Sequence, residues 1–156
     1  MGTVCVVKRR AAAVGALAAL LAAGDARAAA NPEEAARAVV TRFEQALQDR
    51  DAAAVAPLVA EDVVVFENGH RNDGWRDFRD NHLVPEMKEP GHPMKVTPMK
   101  LRATARMAWA YTRTDLFADP SKPRRISHVL WSVYVLEARP EGWRIVALDW
   151  SIGKQK

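Results

Sequence analysis

The clearest periodic pattern of apolar positions lies in residues 31–51, which read NPEEAARAVVTRFEQALQDRD. Asn31 is a favourable N-cap residue and Pro32 suits the first position of a helix. Apolar residues recur at three- and four-residue spacing, which is typical of an amphipathic helix with one buried face. They are Ala36, Val39, Val40, Phe43, Ala46 and Leu47. The pattern therefore predicts a helix that covers another part of the fold.

Three shorter patterns follow this helix. A second, shorter helix contains Pro57, which interrupts or bends it. Residues 62–66, DVVVF, are predicted to form a strand. A third helix begins at residue 73 or 74 and ends before Pro85, because a residue that precedes proline disfavours the helical conformation.

The second half of the chain alternates between apolar and polar residues, which predicts four β-strands. The alternating stretches are residues 99–103 and 107–117, followed by ISHVLWSVYVLEA and WRIVALDWS. The sequence RPEG between the last two has the proline and glycine positions of a type I turn. Helices followed by an antiparallel succession of strands predict an α+β fold, in which a curved antiparallel sheet wraps over the N-terminal helices. Such a cone is a natural site for a small apolar pocket.

The first 28 residues have the pattern of a secretory signal peptide. A positive segment at residues 8–10 precedes an apolar segment at residues 11–23, and Ala26 and Ala28 fit a small-residue cleavage motif. The alternative is a transmembrane anchor, but the apolar run is too short to span a bilayer comfortably. We therefore expect a mature domain at residues 29–156 that is periplasmic or secreted, with no stable membrane anchor after processing.

The predicted leader also carries most of the net charge and the only cysteine. The chain has a formal charge of +4, and residues 1–28 contain four basic residues and one acidic residue, which leaves about +1 for the rest. No basic stripe remains that would bind a phosphate backbone, so we expect no nucleic-acid partner. Because Cys5 leaves with the leader, the mature domain must be held together by packing alone.

Two stretches resemble the nuclear transport factor 2-like superfamily. DRDAAAVAPLVAEDVVVFENG resembles the early helix–strand segment of these domains, and VLEARPEGWRIVALDWS resembles their final hairpin. The nearest group is the SnoaL-like and ketosteroid isomerase-like one, in a secreted version. The resemblance implies a cystatin-like cone and a homodimer that pairs through the outer face of the sheet. It does not decide function, because the superfamily includes isomerases, dehydratases and binding modules.

The resemblance also bears on the histidines. Secreted members of this group often have paired histidines in the third helix and further histidines before the last tryptophan. Of that set, only His82 is present here. This depletion favours a binding module without catalysis.

Glu67 and His82 are candidate acid–base residues. Burial of Glu67 at a pocket mouth would raise the pKa of its carboxyl, whereas the alternative is a solvated acid beside a turn. His82 shares a predicted helix face with Trp75 and Phe78, so its ring needs a partner for each buried nitrogen. A carboxylate partner would make a proton-transfer pair, and a backbone carbonyl would make His82 structural. His70, inside the turn, is expected to be exposed.

The final hairpin leaves two interpretations of the sheet faces. A turn at RPEG places Ser132 beside Asp149, with Tyr134 and His128 on the same side. The opposite side, which includes Trp150, is wholly apolar. In the first interpretation, the apolar side packs on the helices. In the second, which we prefer because two apolar sheet faces need two covers, the Asp149 side lines the cone and the tryptophan side forms a dimer interface.

The second interpretation yields a candidate site. The candidate catalytic residues are His82, Asp149 and Glu67, and the candidate ligand-binding residues are Tyr111, Trp109, His128, Ser132 and Tyr134. An acid and a histidine across an apolar cavity suit proton abstraction next to a carbonyl group. Such side chains also suit zinc, but the chain has no His-x-x-x-His or His-x-His spacing, so we assign no metal and no cofactor.

Three functions remain open at this point. The sequence predicts first a domain that binds a small hydrophobic molecule, without identifiable catalysis. The second possibility is an isomerase- or dehydratase-like enzyme that uses a histidine–aspartate pair in the cone. The third is a weak metal-binding protein.

Overall fold

The computed structural model describes residues 31–89, 91, 93–97, 99–118 and 126–154. The predicted leader, residues 1–28, lies outside the described residues. No helix within the described ranges is long and apolar enough to cross a lipid bilayer.

Three helical segments are present, as the sequence predicts, although the third runs through Pro85 to Glu86 and does not end before Pro85. They are α1 at Pro32–Gln48, α2 at Ala52–Val55 with a 3-10 turn at Ala56–Leu58, and α3 at Trp75–Phe78 with a π-turn at Arg79–Leu83 that leads into α4 at Val84–Glu86. We call residues 75–86 the third helical segment. The Asn31 side chain accepts a hydrogen bond from the Glu33 N–H and so caps α1, and the apolar stripe of α1 is buried.

One sheet contains all the strands in the described part of the chain. They are β1 at Val59–Glu67, β2 at His70–Asp73, β3 at Met94–Val96, β4 at Lys100–Ala103, β5 at Met107–Phe117, β6 at Ile126–Arg139 and β7 at Gly142–Lys154. The order across the sheet is β2-β1-β7-β6-β5-β3, and β4 also pairs with β5. The pairs from β4 to β7 are antiparallel, but β1 runs parallel to β7. The fold is therefore the predicted α+β cone, with a mixed rather than purely antiparallel sheet.

The predicted turn after β1 is a tight hairpin to a strand that the sequence analysis missed. Asn68 and Gly69 both have positive φ angles, 48° and 87°, as two-residue hairpin turns require. The hairpin pairs Glu67 with His70 and ends at Gly74, whose N–H donates to the Val63 carbonyl at 2.7 Å. Glu67 is consequently held at a paired strand end, where it meets His82 of the third helical segment.

A β-bulge in the final hairpin changes the predicted register. Leu136 pairs with Ile145, as predicted, but Ser132 pairs with Trp150. The irregularity lies between Val135 and Leu136, where Val146 is an extra residue in the opposite strand β7. An extra residue moves every later side chain of the strand to the other face of the sheet. The predicted register is therefore correct next to the turn and wrong beyond the bulge.

The bulge decides which residues face outwards. Asp149 is exposed on the outer face of the sheet, so the prediction that it lines the cone beside Ser132 is wrong. Trp109 and Tyr111 are also exposed, because the buried residues Ala110 and Thr112 take the alternate, inward positions of β5. Their predicted contact with a ligand in the cone is wrong for the same reason. Small inward side chains leave room for α1 to pack on the sheet.

Candidate functional site

A cavity of about 440 Å³ lies between α1, the third helical segment and the inner face of the sheet. Much of its lining is apolar, and several polar and charged side chains complete it. Its apolar lining includes Leu47, Leu83, Met87, Met94, Leu116, Leu130, Trp150 and Ile152. Its polar lining includes Glu44, which projects from α1, the pair of Glu67 and Glu86 beside His82, and Gln48, Arg50, Glu89 and Thr114.

Glu44 is a buried carboxyl group that borders the cavity. Its residue is only 8% exposed, and its Oε1 accepts hydrogen bonds from the Tyr134 hydroxyl and from the Thr112 hydroxyl, the latter at 2.8 Å. Desolvation raises the pKa of Glu44, although the two hydrogen bonds oppose the shift. The pKa of Tyr134 is also raised, chiefly because the phenol is buried. Since Oε1 accepts both hydrogen bonds, Oε2 is the oxygen that remains available to a molecule in the cavity.

His82 is held between a carboxylate and a carboxamide. Its Nε2 lies 2.5 Å from Oε2 of Glu67 and 3.4 Å from Oε1 of Glu86. Its Nδ1 lies 2.8 Å from Oδ1 of Asn72 and donates to it, because an amide oxygen can only accept. The His82–Glu67 contact is an ion pair rather than a well-aligned hydrogen bond, since Nε2 has no acceptor in line with its N–H. The structural alternative, a backbone carbonyl as the partner of a His82 ring nitrogen, is not found among the described residues.

The two glutamates favour the charged form of the imidazole. Glu67 makes the largest contribution and Glu86 the next, and together they raise the pKa of His82 to about 9 against the opposing effect of burial. The His82 side chain is 9% exposed, and its ring meets the rings of Phe78 and Trp150 edge-on at centroid distances of 5.4 and 5.6 Å. Packing therefore fixes the ring while the carboxylates set its charge.

A second layer of hydrogen bonds holds Asn72 in place. Asp77 accepts hydrogen bonds from the Asn81 side chain at 2.7 Å, from the Asp73 N–H at 2.8 Å and from Nδ2 of Asn72 at 3.4 Å. These hydrogen bonds lower the pKa of Asp77, and the bond from Asn81 has the largest effect. Because the amide nitrogen of Asn72 points to Asp77, its oxygen points to His82. The carboxylate of Asp77 thus orients the imidazole of His82 through the side-chain amide of Asn72.

The local backbone explains how His82 reaches Glu67. His82 lies in the π-turn, which Val84 closes by donating its N–H to the Arg79 carbonyl. Pro85 follows within α4 and has no N–H to donate, so the helix continues through it with one backbone hydrogen bond fewer. Turns of this kind widen a helix and are frequent at functional sites. The turn places His82 on the inner side of the segment, opposite the end of β1.

The remaining predicted site residues lie apart from the Glu67–His82 pair. Ser132 and Tyr134 are buried on the inner face of β6 and lie outside the cavity lining, although the Tyr134 hydroxyl donates to Glu44, which borders the cavity. His128 is half-buried and lies outside the cavity lining. The structure therefore unites two of the three candidate catalytic residues, Glu67 and His82, and leaves Asp149 on the opposite face of the sheet.

Glu44 is the site residue that the sequence analysis missed. It stands four residues after Val40 and next to Phe43, inside the apolar stripe of α1. A charged residue within a buried helix face was the available signal, because carboxylates are almost never buried without partners. The partners are 68 and 90 residues away in the sequence, at Thr112 and Tyr134, so spacing alone could not identify them.

Several solved structures share this fold. A protein from Shewanella frigidimarina, provisionally described as a ketosteroid isomerase, is 23% identical with a TM-score of 0.66, covering 75% of this chain and 94% of its own. A ketosteroid isomerase-like protein from Erwinia carotovora atroseptica is 14% identical with a TM-score of 0.67, covering 81% and 99%. A cystatin-like fold protein from Burkholderia xenovorans is 19% identical with a TM-score of 0.61, covering 79% and 92%. At these identities the likeness demonstrates the fold alone.

Sequence comparison gives the family. No curated protein sequence matches the chain significantly. The profile of the SnoaL-like domain matches residues 36–154, which is most of the chain and includes every element of the cone after the first turn of α1. The chain therefore belongs to the SnoaL-like domain family.

Proposed function

We propose that this domain binds a small, mainly apolar molecule in its cavity and transfers a proton on that molecule, as an isomerase or dehydratase does. The observation that carries the proposal is the position of Glu44, a buried carboxyl with a raised pKa at the wall of an otherwise largely apolar cavity. A carboxyl whose pKa moves towards neutrality can both accept and return a proton at physiological pH. The ketosteroid isomerase-like description of a structural relative agrees with this reaction class.

The chemistry that suits this arrangement is a proton shift next to a carbonyl group. Ionised Glu44 would take a proton from a carbon atom of the bound molecule, and the resulting acid would return it to another carbon. No bond to the protein forms, and no oxidant or reductant is consumed. The Tyr134 and Thr112 hydroxyls hold Oε1, so they fix the direction from which Oε2 meets the ligand.

The Glu67–His82 pair supplies the second polar group of the cavity. Glu67 borders the cavity, and its side chain is 20% exposed, so a ligand can contact it. We assign this pair to the polar end of the ligand and Glu44 to the proton transfer. Asp149, an original candidate, has no part in this proposal because it lies on the outer face.

Ligand binding is tested first, with a panel of small alicyclic and aromatic ketones observed by ligand-detected NMR. Leu130→Trp fills the cavity and should abolish binding, whereas Ala138→Trp adds the same ring at an exposed position of the same strand and should leave binding intact. Equal binding by both variants would show that the ketones bind elsewhere.

Proton transfer is tested on the compounds that bind. Solvent deuterium should appear next to their carbonyl groups in the presence of the protein, and Glu44→Gln should abolish the exchange while binding persists. Ligands that bind without any exchange would contradict the enzymatic part of the proposal. They would instead support a binding module without catalysis.

We further propose that two copies of the chain pair through the outer face of the sheet. Clusters of exposed apolar side chains often mark protein–protein interfaces, and this face carries six such side chains, with Asp149 between Phe66 and Val133. They are Phe66, Met107, Trp109, Tyr111, Trp131 and Val133, each between 37% and 47% exposed. The predicted leader supports a periplasmic or secreted location for the dimer.

A further inference from the structure

Three side chains, one from β1 and two from the third helical segment, converge at one wall of the cavity. Glu67 ends β1, His82 lies in the π-turn and Glu86 lies in α4. Each offers one ligand atom, and these atoms all lie within 4.8 Å of one another. We call these three residues the wall cluster. An imidazole nitrogen and two carboxylate oxygens are a donor set that first-row divalent metals accept.

The His82 ring is oriented as a metal ligand is. Its Nδ1 donates to the Asn72 carboxamide, and Asp77 holds that amide in turn. Metal-binding histidines commonly donate their second ring nitrogen in this way, which fixes the tautomer that leaves Nε2 free to coordinate. The arrangement therefore aims Nε2 between the two glutamates.

The buried Nε2 atom is an independent sign that the cluster takes a further group. The His82 side chain is nine-tenths buried, and Nε2 has no aligned hydrogen-bond partner among the described residues. Glu67 Oε2 lies 2.5 Å from Nε2 as its ion-pair partner, but it does not occupy the direction of the ring N–H. A cation on the Nε2 side would displace the ring proton and coordinate the nitrogen and both carboxylates together.

The dimensions suit a transition metal after a small movement. Zinc binds nitrogen and oxygen at about 2.0–2.2 Å, which places tetrahedral ligand atoms about 3.3–3.6 Å apart. The 3.4 Å separation of His82 Nε2 and Glu86 Oε1 already matches this value. Glu67 Oε2, now 2.5 Å from Nε2, would have to withdraw by about 1 Å to reach the same spacing. Two carboxylates and a neutral imidazole balance the charge of a dication.

We propose that Glu67, His82 and Glu86 bind a first-row divalent transition metal ion, with Zn²⁺ as the representative, at the wall of the cavity. Glu67 and Glu86 border the cavity, so the remaining coordination position faces it. A ligand oxygen would occupy that position, which narrows the substrate class to molecules with a carbonyl, hydroxyl or carboxylate group at one end. This last step rests on the proposed function, whereas metal binding itself does not.

The test is a calorimetric titration of metal-free full-length protein with Zn²⁺, and with Mg²⁺ for comparison. We expect one Zn²⁺ per chain and much weaker binding of Mg²⁺, which prefers more oxygen ligands and retains water. Glu86→Gln should weaken Zn²⁺ binding by roughly 10–100-fold, the size of loss typical of changes at metal sites. Glu86 is 60% exposed, so this variant keeps its fold.

Glu89→Gln is the matched control. Glu89 also borders the cavity and is exposed, but it lies outside the wall cluster. Its replacement removes the same charge nearby and should leave the Zn²⁺ affinity unchanged. His82→Gln should abolish binding, and its far-ultraviolet circular dichroism would establish whether it folds. Equal Zn²⁺ affinity in the wild type and Glu86→Gln, or no Zn²⁺ binding at all, would overturn the proposal.

The two proposals fail separately. Ketone binding is measured with EDTA present and again with one equivalent of Zn²⁺. If Zn²⁺ binds at the wall cluster but no ketone shows binding that Leu130→Trp abolishes, only the cavity proposal fails. If ketones bind in EDTA and no Zn²⁺ binds, only the metal site fails. Tighter ketone binding with Zn²⁺, lost in Glu86→Gln, is the result expected when both are correct.

Discussion

The Tyr134 hydroxyl donates a hydrogen bond to the carboxyl of Glu44 across the interface between α1 and β6. The two residues are 90 positions apart in the sequence, and both are almost completely buried. Thr112 donates to the same oxygen, so a small polar group is enclosed within the apolar core. Such a group fixes how the helix sits on the sheet and also gives the cavity its buried acid.

Removal of the Tyr134 hydroxyl should destabilise the fold. Tyr134→Phe leaves a buried carboxyl with one donor fewer, and an unsatisfied buried polar group costs about 1–3 kcal/mol. Tyr111→Phe removes the same hydroxyl from the exposed outer face and should be neutral. Urea denaturation of both variants measures the difference. Equal unfolding free energies would mean that the bond to Glu44 contributes nothing to stability.

Glu44 should make stability depend on pH. Its folded-state pKa is raised above the ordinary value of 4.5, so its favourable contribution is complete below that pH. The contribution is lost as the pH rises through the folded pKa, because the buried carboxylate then carries an uncompensated charge. Glu44→Gln has no such loss. Its stability relative to the wild type should therefore increase between pH 4.5 and neutrality, by about 1.4 kcal/mol per unit of pKa elevation.

The control for this pH profile is Glu34→Gln, which changes an exposed glutamate of the same helix. Its unfolding free energy should follow that of the wild type at every pH, within a few tenths of a kcal/mol. Guanidinium denaturation at half-unit pH intervals gives both profiles. A Glu44→Gln profile parallel to the wild type would contradict the buried-acid assignment.

His82 should be far more important for stability than His70. His82→Ala opens a gap between Phe78 and Trp150 and leaves the Asn72 amide without its partner, so we expect a loss of about 2–4 kcal/mol. His70→Ala, at the exposed start of β2, should change the unfolding free energy by less than about 0.5 kcal/mol. Denaturation in EDTA separates this structural effect from metal binding. A neutral His82→Ala variant would mean that the ring is not packed as described.

The outer face of the sheet should control the oligomeric state. Val133→Lys introduces a charge at the centre of the exposed apolar face and should convert a dimer to a monomer. Ala53→Lys introduces the same charge on the exposed side of α2 and should leave the dimer intact. Sedimentation equilibrium of the two variants measures the outcome. A wild-type monomer, or a Val133→Lys dimer, would rule out pairing through this face.

The elements of the fold could be predicted because their signals are local. Asn31, Pro32 and the apolar stripe of α1 specify a capped amphipathic helix within one stretch of sequence, and the structure confirms it. The alternation of β5 to β7 and the RPEG turn likewise specify long strands joined by a tight hairpin. Periodicity follows from the geometry of the helix and the strand, so it can be read without knowledge of distant partners.

The sheet faces could not be predicted, because one residue decides them. The bulge at Val146 adds a single position to β7 and moves Asp149 from the cone to the outer face. Whether a strand accommodates an extra residue depends on both of its neighbours, and β7 lies between β6 and β1. Strand pairing with distant segments is a property of the tertiary structure.

The sequence alone determined that Glu67 and His82 were suitable residue types near an apolar face, and only the tertiary structure brought their side chains into contact. The same holds for Glu44, whose place in the apolar stripe was visible but whose partners on β5 and β6 were not. Local propensities fix helices and strands because the interactions that form them are short-range in sequence. A site requires side chains from several elements to converge, and that convergence is decided by strand register, the bulge and the packing of helices on the sheet.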